Sequence, residues 1–149
     1  MLDSIEFTAQ EIPMPAALDS EATRIWLTDV AAAHGRRIGE LTYIFCSDER
    51  IIEVNRQFLQ HDYYTDIITF DYCRGRMLSG DMFISVDTVA SNAEMLSTPY
   101  DREFYRVIVH GLLHLCGIND KGPGEREIME SHEDAALAMP SCPAAKVNN

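Results

Sequence analysis

Two histidines four residues apart, His110 and His114, followed by Gly117 and Asp120, are the residues of this chain whose types and spacing best support chemistry. On a helix, four steps of about 100° overshoot one turn by only about 40°, so both imidazoles leave on the same side. Gly117 can end that helix and let the Asp120 carboxylate fold back toward both rings. Three protein ligands then face one metal ion and leave a position open to water. That is the catalytic form of a zinc site, whereas four protein ligands make the structural form. The spacing therefore points to a metal-dependent hydrolase.

An isolated His-x-x-x-His pair inside a helix is more often two satisfied core histidines than a ligand pair. The glycine and acid that follow change that balance, because H-x-x-x-H-x-x-G-x-x-[H/D] is the ligand spacing of metzincin-like zinc sites. Zinc is the first choice for two imidazoles and one carboxylate, although non-haem iron or nickel accepts the same ligand types. Two neutral rings and one carboxylate leave a net positive centre, which acidifies water and polarises a phosphoryl or carbonyl oxygen. The zincin peptidases carry a Glu general base directly after the first His. Here that position is Gly111, which cannot move a proton.

The elements that must position these residues are legible in the hydrophobic pattern. Leu41–Cys46 and Thr65–Phe70 are β-branched and aromatic and predict strands, as does Asp81–Ser85, with a weaker candidate at Ile5–Ile12. Asp19 or Ser20 caps a helix ending near Gly35, and Ser47 caps another through Phe58. Arg74-Gly-Arg76 and Ser79-Gly80 mark a hairpin-like connection. A helix follows over about residues 86–96. Thr98-Pro99-Tyr-Asp101 then reads as a helix start with Thr98 as its cap, and that helix is apolar nearly all round, so it should be buried. A last helix spans about residues 125–138. The order βαβαββααα predicts a small α+β domain over residues 1–140: a mixed sheet of about four strands with packed helices, the metal ligands on a buried helix and the loop after it. Residues 141–149 read as a disordered tail.

Bulk properties narrow the classes. A chain of 149 residues suffices for one domain. No stretch approaches the roughly 20 apolar residues of a membrane span, and the acidic start lacks a signal-peptide pattern, which predicts a cytoplasmic protein. Four separated cysteines without a C-x-x-C pair predict reduced, structural thiols. The net charge of -12 repels polyanions at long range, so any phosphate substrate must meet the metal or a local basic patch. The basic groupings are Arg36-Arg37, Arg74/Arg76 and Lys121/Arg126.

Three blocks together resemble the YbeY family of single-domain metal-dependent endoribonucleases implicated in ribosomal RNA maturation and ribosome quality control. The family's H-G-x-L-H-L-x-G-[YF]-D-H signature appears as His110 to Asp120. Its [LV]-N-x-x-[FY]-R-x-x-D-x-x-T-[DN]-V-L-[ST]-F block appears as Val54 to Phe70. Its G-D-I-x-I-S strand appears as Gly80 to Ser85, and its Met after the metal loop as Met129. Two departures from the pattern bear on the site: Asp120 replaces the usual third His, and Leu59 replaces an Arg thought to contact substrate phosphate. Carboxylate and imidazole bind zinc at similar distances of roughly 2.0–2.2 Å, so the site survives the first change. Arg56 and His61 are the nearby residues able to stand in for the second.

The resemblance implies a zinc-dependent, single-strand-specific endoribonuclease acting on rRNA precursors, with a ribosomal subunit or assembly proteins as possible partners. His110, His114 and Asp120 would hold the metal. Asp66 is the candidate to orient a ligand or act as base, although an Asp at a strand start is also an ordinary turn residue. Two alternatives stand beside this reading: a non-catalytic, metal-stabilised ribosome-assembly factor and a zinc metallopeptidase. His132 reads as a core histidine, and His34 as a cation at a helix C-terminus.

Overall fold

The β-branched and aromatic runs assemble into one mixed sheet that carries the long apolar helix. A computed structural model describes residues 4–59 and 65–144. Its elements are β1 (Ser4–Ala9), α1 (Ser20–Ala33), β2 (Arg37–Cys46), α2 (Asp48–Val54), a π-helical turn (Asn55–Leu59), β3 (Ile67–Asp71), β4 (Met77–Ser85), α3 (Val86–Met95), α4 (Tyr100–Leu115) and α5 (Glu125–Leu137). This is the expected α+β order. The strands lie in the order β1-β2-β4-β3, with β1/β2 and β2/β4 parallel and β3/β4 antiparallel. Among the described residues no helix is long and apolar enough to cross a membrane.

Helix α4 is the centre of the core. Phe104, Tyr105, Val107, Ile108, Val109, Leu112 and Leu113 are all buried, packing with Tyr43 and Met82 of the sheet and with Met129 and Ala136 of α5. Burial of such side chains stabilises by about 1.5–3 kcal/mol each, which fixes α4 firmly under the sheet. Its orientation is further pinned by Tyr43, whose hydroxyl donates to the Ile108 carbonyl at 2.9 Å. Trp26 ties α1 to the end of α5 through its indole N–H on the Ala136 carbonyl at 2.9 Å.

Capping follows the sequence at two helices. The Asp19 carboxylate accepts from the Ala22 amide at 3.1 Å, and the Ser47 hydroxyl from the Arg50 amide at 3.2 Å. Three expectations are corrected. Thr98 does not cap α4; its amide closes the preceding helix on the Ala93 carbonyl at 3.0 Å, and α4 starts after Pro99 with Asp101 and Glu103 in its first turn. Ser79-Gly80 lies inside β4, not in a turn, because a side chain at Gly80 would meet the Phe70 carbonyl oxygen of β3. The reversal is made earlier, by paired bonds of 3.0 and 2.9 Å between Arg74 and Met77. Finally, the packed structure extends past residue 140: Cys142 and Ala144 are buried in the main core, while 145–149 of the expected tail lie outside the described residues. All four cysteines are free.

Candidate metal centre

The last turns of α4 present two polar side chains on an otherwise buried helix. His110 and His114 keep 16% and 30% of their side-chain surface, enough to open into a cleft rather than the core. Their ring centroids lie 4.5 Å apart with planes at 86°. Gly117 ends the helix with φ 92°, a left-handed conformation that favours glycine, and the chain turns back. Asp120 Oδ2 thereby lies 3.2 Å from His110 Nε2 and 3.5 Å from His114 Nε2.

Those separations suit a shared ion. Ligand atoms about 2.0–2.1 Å from a tetrahedral centre stand roughly 3.4 Å from one another. One ligand atom from each of the three residues falls within 4.8 Å of the others, so the set can hold a metal. The chemistry of the donors fits too. Burial, then the neighbouring His110, pushes the His114 imidazole below its ordinary range, favouring the neutral ring that a metal requires.

A residue the sequence reasoning passed over completes the centre. Glu133 of α5, buried, places Oε2 2.5 Å from His110 Nδ1. With Nδ1–H donating to that carboxylate, Nε2 is left with its lone pair toward Asp120 and the cleft. Glu133 is held in turn by Arg106, whose Nη1 donates to Oε1 at 3.1 Å, while Arg106 also pairs with the buried Glu103. Burial alone would lower the Arg106 pKa, but the two carboxylates raise it well above its usual value. Two buried carboxylates thus share one guanidinium, and the remaining negative charge faces His110. The signal was there to be found: Glu133 recurs at helical spacing with Met129 and Ala136 on the buried face of α5, where a charge demands a partner.

The cleft beside the ligands, about 430 Å³, is lined by Asp66, Thr69, Asp71, Leu115 and Lys121 along with the three donors. Asp66 reaches it from the segment before β3. Its carboxylate accepts from Asn92 Nδ2 at 3.3 Å and stands 3.9 Å from Arg106 Nη2. Burial raises its pKa, against the opposing pull of His110 and Arg106. Asn55 also lines the cleft, but Arg56 does not; it opens on another groove with Glu11, Glu49 and Glu53. The structure therefore does not bring Arg56 to the donors. His61 and the Leu59 side chain lie outside the described residues.

Among the described residues, His132 does not join the cluster of donors. Its half-buried ring meets that of His34 at 5.1 Å between centroids. His34 is not the cation expected at the end of α1: burial, His132 and Arg36 all lower its pKa. Gly111 touches the sheet so closely that a Cβ would come within 2.7 Å of Ile67 Cδ1 and Met82 Sδ. The place where a zincin carries its base is here the contact between α4 and the sheet.

The sequence pattern described as "Endoribonuclease YbeY" matches residues 4–140. The chain belongs to the YbeY family. It is similar to proteins named endoribonuclease YbeY from Phocaeicola vulgatus, 64% identical over 91% of this chain and 97% of that one, and from Bacteroides thetaiotaomicron, 62% identical over 91% and 98%. The solution structure of a Thermotoga maritima protein superposes with a TM-score of 0.61 over 92% of this chain and 94% of that one, at 21% identity, so the two chains share a fold. The family is one of enzymes, hydrolases of RNA phosphodiester bonds.

Proposed function

We propose that this YbeY chain is a zinc-dependent, single-strand-specific endoribonuclease that acts in the cytoplasm on rRNA precursors during ribosome maturation and quality control. The observation that carries the reading is the convergence of His110 Nε2, His114 Nε2 and Asp120 Oδ2 on one point at the edge of an open cleft. These three residues would hold the ion, and the two-imidazole, one-carboxylate set favours zinc. When bound there, a divalent ion supplies Lewis acidity toward water and toward phosphoryl oxygens.

The chain's own residues do the rest. Glu133 fixes the His110 tautomer, and Lys121 places a cation on the cleft wall. Asp66, on the same wall and with its pKa raised, is the group able to accept a proton from the attacking nucleophile.

The test is cleavage of a single-stranded rRNA fragment by zinc-loaded protein, with Asp120→Ala beside it. Cleavage should depend on metal and vanish in the variant. Full cleavage by Asp120→Ala would overturn the reading. Leu59, in place of the family's Arg, favours a second reading, a metal-stabilised ribosome-assembly factor that binds RNA without cutting it. Metal-dependent cutting supports the enzyme; tight binding with no products supports the assembly factor. The metallopeptidase alternative would need a base from elsewhere, since Gly111 is packed against Ile67 and Met82.

A further inference from the structure

The chain carries 12 basic residues against 24 acidic ones, yet four of the basic residues gather in one place. Arg36 and Arg37 lie where α1 hands over to β2, and Arg74 and Arg76 lie in the turn between β3 and β4. Pairing of Arg37 with Met77, and the Arg37 amide on the Arg76 carbonyl at 3.0 Å, hold the two turns together. The four arginines, with Gly35 and Met77, line a groove of about 540 Å³ that contains no carboxylate. Among the described residues none of the four forms an ion pair. In a chain of net charge -12, such a grouping is a local reversal of sign that draws anions.

The groove is joined to the metal cleft along two paths. Arg36 Nη2 donates to the Cys116 carbonyl at 3.0 Å, beside Leu115 of the cleft wall and two residues beyond ligand His114. On the other side, β3 ends at Asp71 of the cleft wall, and the chain reaches Arg74 three residues later. Asp71, the carboxylate between them, is turned onto its own Cys73 amide at 2.8 Å. Guanidinium forks suit phosphate oxygens, and Met77 with the arginine stems offers apolar wall for bases or sugars.

We propose that Arg36, Arg37, Arg74 and Arg76 form an accessory phosphate-binding track for a single-stranded RNA whose scissile bond lies at the metal cleft. The inference rests on the endoribonuclease reading and extends it, assigning the strand a direction along the protein: from the α4 C-terminus toward the β3–β4 turn. It also gives a source of phosphate contacts away from position 59.

The test uses the full chain loaded with zinc and cleavage-resistant 2′-O-methyl RNAs of four and sixteen nucleotides, with binding read by fluorescence anisotropy across a salt series. Arg37→Gln/Arg74→Gln/Arg76→Gln should weaken binding of the 16-mer by roughly tenfold or more and lower the slope of log K against log salt by about 2, at about 0.7 per phosphate contact on single strands. Affinity for the 4-mer should stay within about twofold, and the triple Lys variant should keep most of the slope. An unchanged slope for the 16-mer, or equal losses for both lengths, overturns the proposal. Cleavage of unmodified RNA by the wild-type protein is followed in parallel. If that cleavage is present and the slope is unchanged, the track fails and the nuclease reading stands; if the wild-type protein cuts nothing, the nuclease reading itself fails.

Discussion

Glu133 Oε2 lies 2.5 Å from His110 Nδ1, and this contact connects α5 to the candidate metal centre on α4. A carboxylate partner makes the imidazole a better ligand and stops its ring from turning, and losing such a partner typically costs 10- to 100-fold in metal affinity. Glu133→Gln, which keeps the shape but not the charge, should weaken zinc binding by about tenfold, and Glu133→Ala by closer to 100-fold. Competition with a chromophoric chelator measures both. Wild-type affinity in the Ala variant would remove Glu133 from the centre.

Zinc should stabilise the fold, because three ligands on α4 and its following loop converge only in the native chain. Ligand at 100 times its Kd adds about 2.7 kcal/mol. For a domain of this size, each kcal/mol moves Tm by about 2–4 °C. Calorimetry should therefore show an upward shift of roughly 5–11 °C on zinc addition to chelator-stripped protein, and none in His114→Ala or Asp120→Ala. A shift of equal size in those variants would place the ion elsewhere.

Acid should destabilise the metal-free protein. His34 and His114 are both held below the ordinary imidazole range, chiefly by burial. Above about pH 7.5, a unit past the ordinary imidazole value of about 6.5, both rings are neutral, folded or not, and contribute nothing to the pH dependence. As pH falls below that value, the unfolded chain takes up protons that the fold resists, so stability drops until the folded pKa values are passed. The raised pKa of Asp66 acts in the opposite sense, which makes a variant comparison the cleaner measure. His34→Asn should show a shallower loss between about pH 6.5 and 5.5 in urea titrations. An identical curve would mean that His34 titrates as freely in the fold as outside it.

What the sequence made legible was local. Spacing alone placed His110, His114 and Asp120 together, because a helix and a glycine terminus leave few other arrangements. The β-branched runs located the strands, and the apolar circumference of α4 foretold its burial. The long-range pairings were hidden. Nothing local says that Glu133 meets His110 across 23 residues, or that Arg106 bridges Glu103, Glu133 and Asp66. Two arginine pairs separated by more than 35 positions read as ordinary surface until the β2–β4 pairing joins their turns. Gly80 misled because glycine in a turn and glycine under a crossing carbonyl look alike in a string of letters.

Asp66 offers the sharpest separation of chemistry from structure. Its carboxylate is partly buried, stands before β3, and borders both the main cleft and the groove that contains Arg106 and Glu133. A base in that place should affect the rate of bond cleavage without holding the ion. Asp66→Asn keeps the size and the hydrogen-bonding reach toward Asn92 but cannot accept a proton. Single-turnover cleavage should slow by about 10²- to 10⁴-fold, with zinc stoichiometry and KM unchanged, and the acid limb of the pH–rate profile should disappear. A merely structural Asp66 would show the reverse: a lower Tm or weaker zinc binding, with the pH profile intact.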